Sequence, residues 1–155
     1  MPRQPVTAVH VRRTIAAPPE RVYRAWLDPQ LMSRWFAPAS FTVRSVEVDE
    51  RVGGRLRIWH ADSNGNDVGG AEAEIVELIP NERIVLHWQF VGPDRITNPA
   101  LTTRLTITFT PTPGGTQLDL THDRLDSLRN QFPYIAEQLR PGWESALDAL
   151  VAVGL

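Results

Sequence analysis

At 155 residues the chain has room for one hydrophobic core of useful size and would hold two only with strain. Its 42% hydrophobic and 22% charged residues exclude global disorder, and a net charge of −2 with no basic run longer than Arg12-Arg13 leaves no electrostatic footprint for a nucleic-acid backbone. The absence of cysteine removes disulfides, thiolate zinc sites and cysteine nucleophiles, and because all 16 basic residues are arginine, Schiff-base chemistry through a lysine amine is also excluded.

The opening stretch MPRQPVTAVHVRRT lacks the apolar centre of a secretory signal. No apolar run approaches the about 18 residues of a membrane span, so a cytoplasmic chain is expected. Residues 8–17 alternate Val9, Val11 and Ile15 in a β-rich setting and read as a first strand. Pro18, Pro19 and Glu20 then suit a helix start, because a first helical turn leaves its N–H groups unpaired and loses nothing to proline. Val22, Ala25 and Trp26 fall on one face of that helix. Asp28 followed by Pro29 predicts a second start, with Asp28 as the N-cap and Leu31 and Trp35 on the apolar side.

From Phe41 the period becomes two. Residues 41–48, 55–60, 70–79, 83–90, 103–110 and 116–123 read as strands, separated by turn chemistry at Gly53-Gly54, Asn64-Gly65, Pro80-Asn81, Gly92-Pro93 and Pro113-Gly114-Gly115. Six strands with short turns imply an antiparallel meander. Residues 91–102 form the loosest connection, a candidate mobile loop. After Asp123 the pattern is helical again, interrupted at Phe132-Pro133, with Pro141 starting or kinking the last helix and Trp143, Leu147, Leu150 and Val151 forming its apolar stripe. The order of elements defines an α+β chain, and residues 1–155 are expected to form a single domain.

That order has a geometric consequence. A helix about 10 Å wide cannot cover the inner face of seven strands spaced about 4.8 Å apart, so large side chains, the short helices or a ligand must fill the remaining volume. Strand alternation turns Leu56, Ile58 and His60 to one face, and does the same for Leu105, Ile107 and Phe109, for Leu118, Leu120 and His122, and for Ile84, Leu86, Trp88 and Phe90. His60 and His122 therefore fall among apolar inward neighbours, as anchors or acid–base groups for a ligand or as rim histidines satisfied by a carbonyl or water. Trp35 and Phe36 are adjacent at a helix end and are not both expected to enter one core, which makes them the candidate entrance. Glu72 and Glu74, like Glu47 and Asp49, read as solvated strand faces. No G-x-S-x-G elbow, HExxH spacing or phosphate loop is present, so no metal or cofactor is expected and no catalytic residue is assigned.

The segments APPERVYRAWLDPQLMSRWFAP, EVDERVGGRLR, ELIPNERIVLHW, TFTPTPGGTQLDLTH and GWESALDAL, in this order and spacing, resemble the AHSA-type branch (activator of heat-shock protein 90 ATPase homologues) of the START-like or SRPBCC superfamily. The resemblance covers nearly the whole chain. It implies a helix-grip fold, β-α-α-β6-α, in which a seven-stranded curved antiparallel sheet wraps a long C-terminal helix around an internal cavity. Relatives bind hydrophobic ligands, catalyse aromatase or cyclase chemistry, or stimulate the chaperone's ATPase, the last with an additional N-terminal domain for which this length leaves no room.

The expected function is therefore binding of a small apolar or aromatic molecule by Trp35, Phe36, Phe41, Ile58, His60, Trp88, Leu105, Ile107, His122, Trp143 and Leu147. The alternatives are a cyclase, dehydratase or hydrolase using the same cavity, and a chaperone-regulating or other protein-interaction module. Polar outward positions Arg104, Thr106, Thr108, Gln117, Asp119 and Thr121 argue against a sticky outer sheet face, while a homodimer through helices or edges stays open.

Overall fold

The computed structural model describes residues 7–38 and 40–155. Twelve elements follow in chain order: β1 (Ala8–Ile15), α1 (Pro19–Ala25), α2 (Pro29–Met32), β2 (Thr42–Val48), β3 (Arg55–Ala61), β4 (Asp67–Ile79), β5 (Arg83–Val91), a 3-10 turn (Pro99–Leu101), β6 (Thr103–Thr112), β7 (Gly115–Asp123), α3 (Asp126–Gln131) and α4 (Pro133–Ala152). The strands form one antiparallel sheet in the order β1-β7-β6-β5-β4-β3-β2. β2 to β7 are the expected meander, and β1 closes against β7, so α1 and α2 carry the chain from one edge of the sheet to the other. This is the helix-grip architecture.

Both short helices begin where proline permits. α1 opens at Pro19 with Glu20 in its first turn, and α2 opens at Pro29 with the Asp28 carboxylate accepting from the Gln30 N–H at 2.9 Å. Met32 is the residue α2 buries, while Leu31 is only half-buried. The core lies between the inner sheet face and α4. It contains Leu56, Ile58, Ile75, Ile84, Leu86, Leu105, Ile107, Leu118 and Leu120 from the strands, with Trp26, Trp35 and Leu147 from the helical side. On the outer face Arg104 pairs with Asp123, Arg12 with Asp119, and Glu72 lies 3.5–3.6 Å from Arg55 and Arg57. Exposed pairs of this type each contribute less than about 1 kcal/mol.

Two expectations for the last helix need correction. Pro141 does not start it: Pro133 does, and α4 runs on through Pro141, which removes one N–H from the helical ladder. Val151 is 43% exposed and off the apolar stripe, which is instead Ala136, Leu139, Trp143, Ala146, Leu147 and Leu150. The stripe extends a full turn and more before Pro141, because the helix begins earlier than Pro141 suggested. Among the described residues, no helix is long and apolar enough to cross a membrane.

Candidate functional site

A cavity of about 950 Å³ opens between β3, β4, β5, the segment that follows α2, the 92–102 loop, α3 and α4 as far as Ala146. Its walls are predominantly apolar, and its size is at the upper end for a site holding a drug-sized molecule. Pro141 and Gly142 form part of the α4 wall, where a small side chain and a missing one leave space. The β4 wall contains Gly69 and Gly70. A Cβ on Gly70 would collide with the Ile58 carbonyl, and one on Gly69 with the Val91 carbonyl, so the neighbouring backbones approach here as only glycine allows.

Of the sequence-derived candidates, Phe36, Phe41, His60, Trp88 and Trp143 come together on this cavity. Trp35, Ile58, Leu105, Ile107, His122 and Leu147 do not line it; they are buried in the packed core away from it. Alternation identifies the face of a strand but not the position along it, and Ile58, Leu105, Ile107 and His122 sit on the inner face at positions packed by other core side chains. Of the cavity's outer lip, only Phe41 is among the sequence-derived binding candidates. Ile96 and Tyr134 are 70% and 72% exposed, and Phe41, Phe90 and Phe132 join them as exposed apolar side chains at the cavity. For Phe132 and Tyr134 the sequence signal is the apolar Phe132-Pro133-Tyr134 at a helix start.

The reading of Trp35 and Phe36 as an entrance also changes. Both are buried, at 2% and 5% exposure, in one aromatic cluster. The chain leaves helical geometry after Met32 in tight turns, with the N–H groups of Trp35 and Phe36 both bonded to the Met32 carbonyl, and two successive side chains can then enter the same core. Trp26 packs edge-on against both, at ring separations of 4.8 and 5.6 Å. The Trp35 indole N–H donates to the Ala25 carbonyl at 3.1 Å, pinning α1 to the α2 exit. Phe36 alone continues to the cavity, where it meets Trp88 and Trp143 at 5.9 and 5.6 Å.

The two histidines have different surroundings. His122 is sealed, and its ring nitrogens are both engaged: the Trp143 Nε1–H lies 3.1 Å from Nδ1, and Nε2 lies 2.6 Å from Thr103 Oγ1. An indole nitrogen only donates, so Nδ1 accepts and the proton resides on Nε2. Nε2–H then donates to Thr103, whose hydroxyl donates onward to the Trp88 carbonyl at 3.1 Å. This directed chain satisfies a neutral imidazole completely. Burial disfavours the charged ring and pushes its pKa down to about 4, with Asp123 opposing weakly. His122 thus positions Trp143 from behind and does not reach the cavity, contrary to the wet rim its place near a strand end suggested.

His60 does line the cavity. Its Nε2 lies 2.8 Å from the Phe36 carbonyl, which can only accept, so Nε2 carries the proton. Desolvation holds its pKa below the usual imidazole value, opposed by that hydrogen bond, and the ring is neutral near pH 7. Phe41 stacks on it at 6.5 Å.

The connection over residues 91–102, read as the loosest, begins after Val91 closes β5, and it is tied down at several points. Arg95 pairs with Asp67 through two hydrogen bonds of 3.1 and 2.7 Å, and its guanidinium sits 3.7 Å above the Trp59 ring. The Asn98 N–H also donates to the Gln89 side chain. Among the described residues, no group of three or more His, Asp or Glu side chains is placed to hold a metal ion.

Comparison with known proteins agrees with this architecture. A family model described as activator of Hsp90 ATPase homolog 1-like protein matches residues 16–154. A solved protein from Chromobacterium violaceum is 29% identical, with 95% of this chain and 96% of that one covered and a TM-score of 0.77. One from Rhizobium leguminosarum is 27% identical, with 94% and 91% covered and a TM-score of 0.68. An AHSA1-like protein from Aeromonas hydrophila, at 23% identity, 94% and 90% coverage and a TM-score of 0.68, shares the fold. No curated protein matches the sequence. With the fold, the order of motifs and the family match over nearly its whole length in agreement, the chain belongs to the activator of Hsp90 ATPase homolog 1-like family.

Proposed function

We propose that this protein binds a small, mainly hydrophobic molecule in the cavity between the sheet and α4, with residues 1–155 working as one module. The observation that carries the reading is the cavity itself: about 950 Å³, with aromatic walls from four separate parts of the chain and an exposed apolar lip. A family relationship is compatible with ligand binding and does not choose the ligand. Aromatic rings facing water are costly to hydrate, and a molecule that covers them gains about 25 cal/mol for each Å² removed from solvent.

An enzyme working through both histidines finds less support, because His122 has no free nitrogen and lies off the cavity. Protein interaction through the outer sheet face finds little support either, since that face carries the Arg12–Asp119 and Arg104–Asp123 pairs. Native mass spectrometry of the purified protein, with a thermal-shift screen of lipids, aromatics and polyketide-like compounds, tests the proposal. Retention of, or stabilisation by, an apolar compound is expected; no mass adduct and no shift across the panel would remove the reading.

A further inference from the structure

Besides neutral hydroxyl and amide side chains such as Ser40, Gln131, Gln138 and Ser145, which can both donate and accept, the cavity wall carries one imidazole, His60. With the His60 Nε2 proton committed to the Phe36 carbonyl, Nδ1 retains a lone pair and no proton. It has no partner among the described residues, and it is not one of their sealed unpartnered polar atoms, which are the Trp26 and Trp88 indole nitrogens. An open acceptor thus stands in the wall, on a ring stacked against Phe41. The wall's formal charge is one-sided. Among the described residues lining the cavity, Asp94 is the ionised group and no arginine takes part. The nearby Arg95 is directed to Asp67 and Trp59 instead. A bound carboxylate would leave water for a site with no cation to receive it, facing a fixed negative charge.

The ring geometry bears on shape. Phe36, Trp88 and Trp143 form a triangle with centroid separations of 5.6 to 5.9 Å, in tilted and edge-on arrangements that a further aromatic ring can extend. We propose that the cavity takes an uncharged aromatic molecule bearing a hydroxyl or N–H group, which donates to Nδ1 of His60, and that it discriminates against the corresponding carboxylate. This rests on the hydrophobic-binding reading above and adds to it the polarity and charge of the ligand.

Isothermal titration calorimetry of the full chain at neutral pH with four fragment probes tests it: naphthalene, 2-naphthol, 2-methoxynaphthalene and 2-naphthoate. 2-Naphthol is expected to bind about fivefold more tightly than naphthalene or 2-methoxynaphthalene, the factor for one hydrogen bond to a neutral acceptor. 2-Naphthoate is expected to bind at least about tenfold more weakly than 2-naphthol. In His60→Phe the preference for 2-naphthol over naphthalene should vanish while naphthalene still binds, which also shows that the variant is folded. Naphthalene binding with equal affinity for the methoxy and hydroxy compounds, or with 2-naphthoate bound as tightly as 2-naphthol, overturns this inference and leaves apolar binding standing. If none of the four binds, this inference falls, and the broader panel above decides apolar binding separately.

Discussion

His122 shows how a chemically suggestive residue becomes structural. Thr103 and Trp143 use both hydrogen-bonding nitrogens of a neutral imidazole, and the Trp88 carbonyl fixes the Thr103 hydroxyl in turn, so the ring is held in one tautomer and one orientation. Replacing Thr103 by valine keeps the volume and leaves the buried Nε2–H without an acceptor. A loss of about 1–3 kcal/mol in denaturant unfolding is expected. The pH dependence has a definite sign. The folded pKa of about 4 lies below the unfolded value near 6.5, so between these the unfolded chain binds the extra proton. The stability this histidine contributes is complete above about pH 6.5 and falls as pH drops toward 4, by at most about 1.4 kcal/mol per pH unit. Unfolding curves for the wild type and His122→Gln should therefore converge as pH falls from 6.5 to 4, and parallel curves would remove this role. Periodicity placed His122 inward, but its partners come from β6 and α4, which no local pattern connects.

The elements were mostly legible because their boundaries carry their own chemistry. Asp28-Pro29 caps α2, and the predicted strands match the observed ones to within a few residues, since proline and glycine punctuate the chain at each turn. Asp28→Ala should cost about 1 kcal/mol through loss of the cap, read as a lowered thermal midpoint. Pro141 misled for a related reason: it signals a helix start in isolation, but the continuous burial of Ala136, Leu139 and Trp143 holds the helix together through it. Two glycines behave oppositely. Gly142 lies inside α4, and a Cβ there would meet no atom within 4 Å, so Gly142→Ala should stabilise the protein by about 0.5–1 kcal/mol. Gly69 has φ +86° beside the β3–β4 irregularity and a close Val91 carbonyl, so Gly69→Ala should destabilise by at least about 2 kcal/mol in the same assay.

For the molecule as a whole, the cavity links binding to stability. A ligand present at 100 times its Kd raises unfolding free energy by about 2.7 kcal/mol, so any true occupant should move the thermal midpoint in proportion to the logarithm of its concentration. Gly142→Leu projects into the open space beside α4 and is expected to keep or raise the midpoint while abolishing that ligand-dependent shift. A variant that retains the shift would place the ligand elsewhere. Hydrophobic period, proline and glycine placement and the balance of charges are local properties, and they sufficed for the α+β class, the order of elements, the inward strand faces and the mismatch between one helix and seven strands. How far along each strand α4 reaches is a matter of packing between elements distant in the chain. That packing sealed Ile58, Leu105, Ile107, His122 and Leu147 in the core and left Phe41, His60 and Trp88 beside the cavity. It also folded Trp35 and Phe36 together into one core, turning a supposed doorway into the wall that supports it.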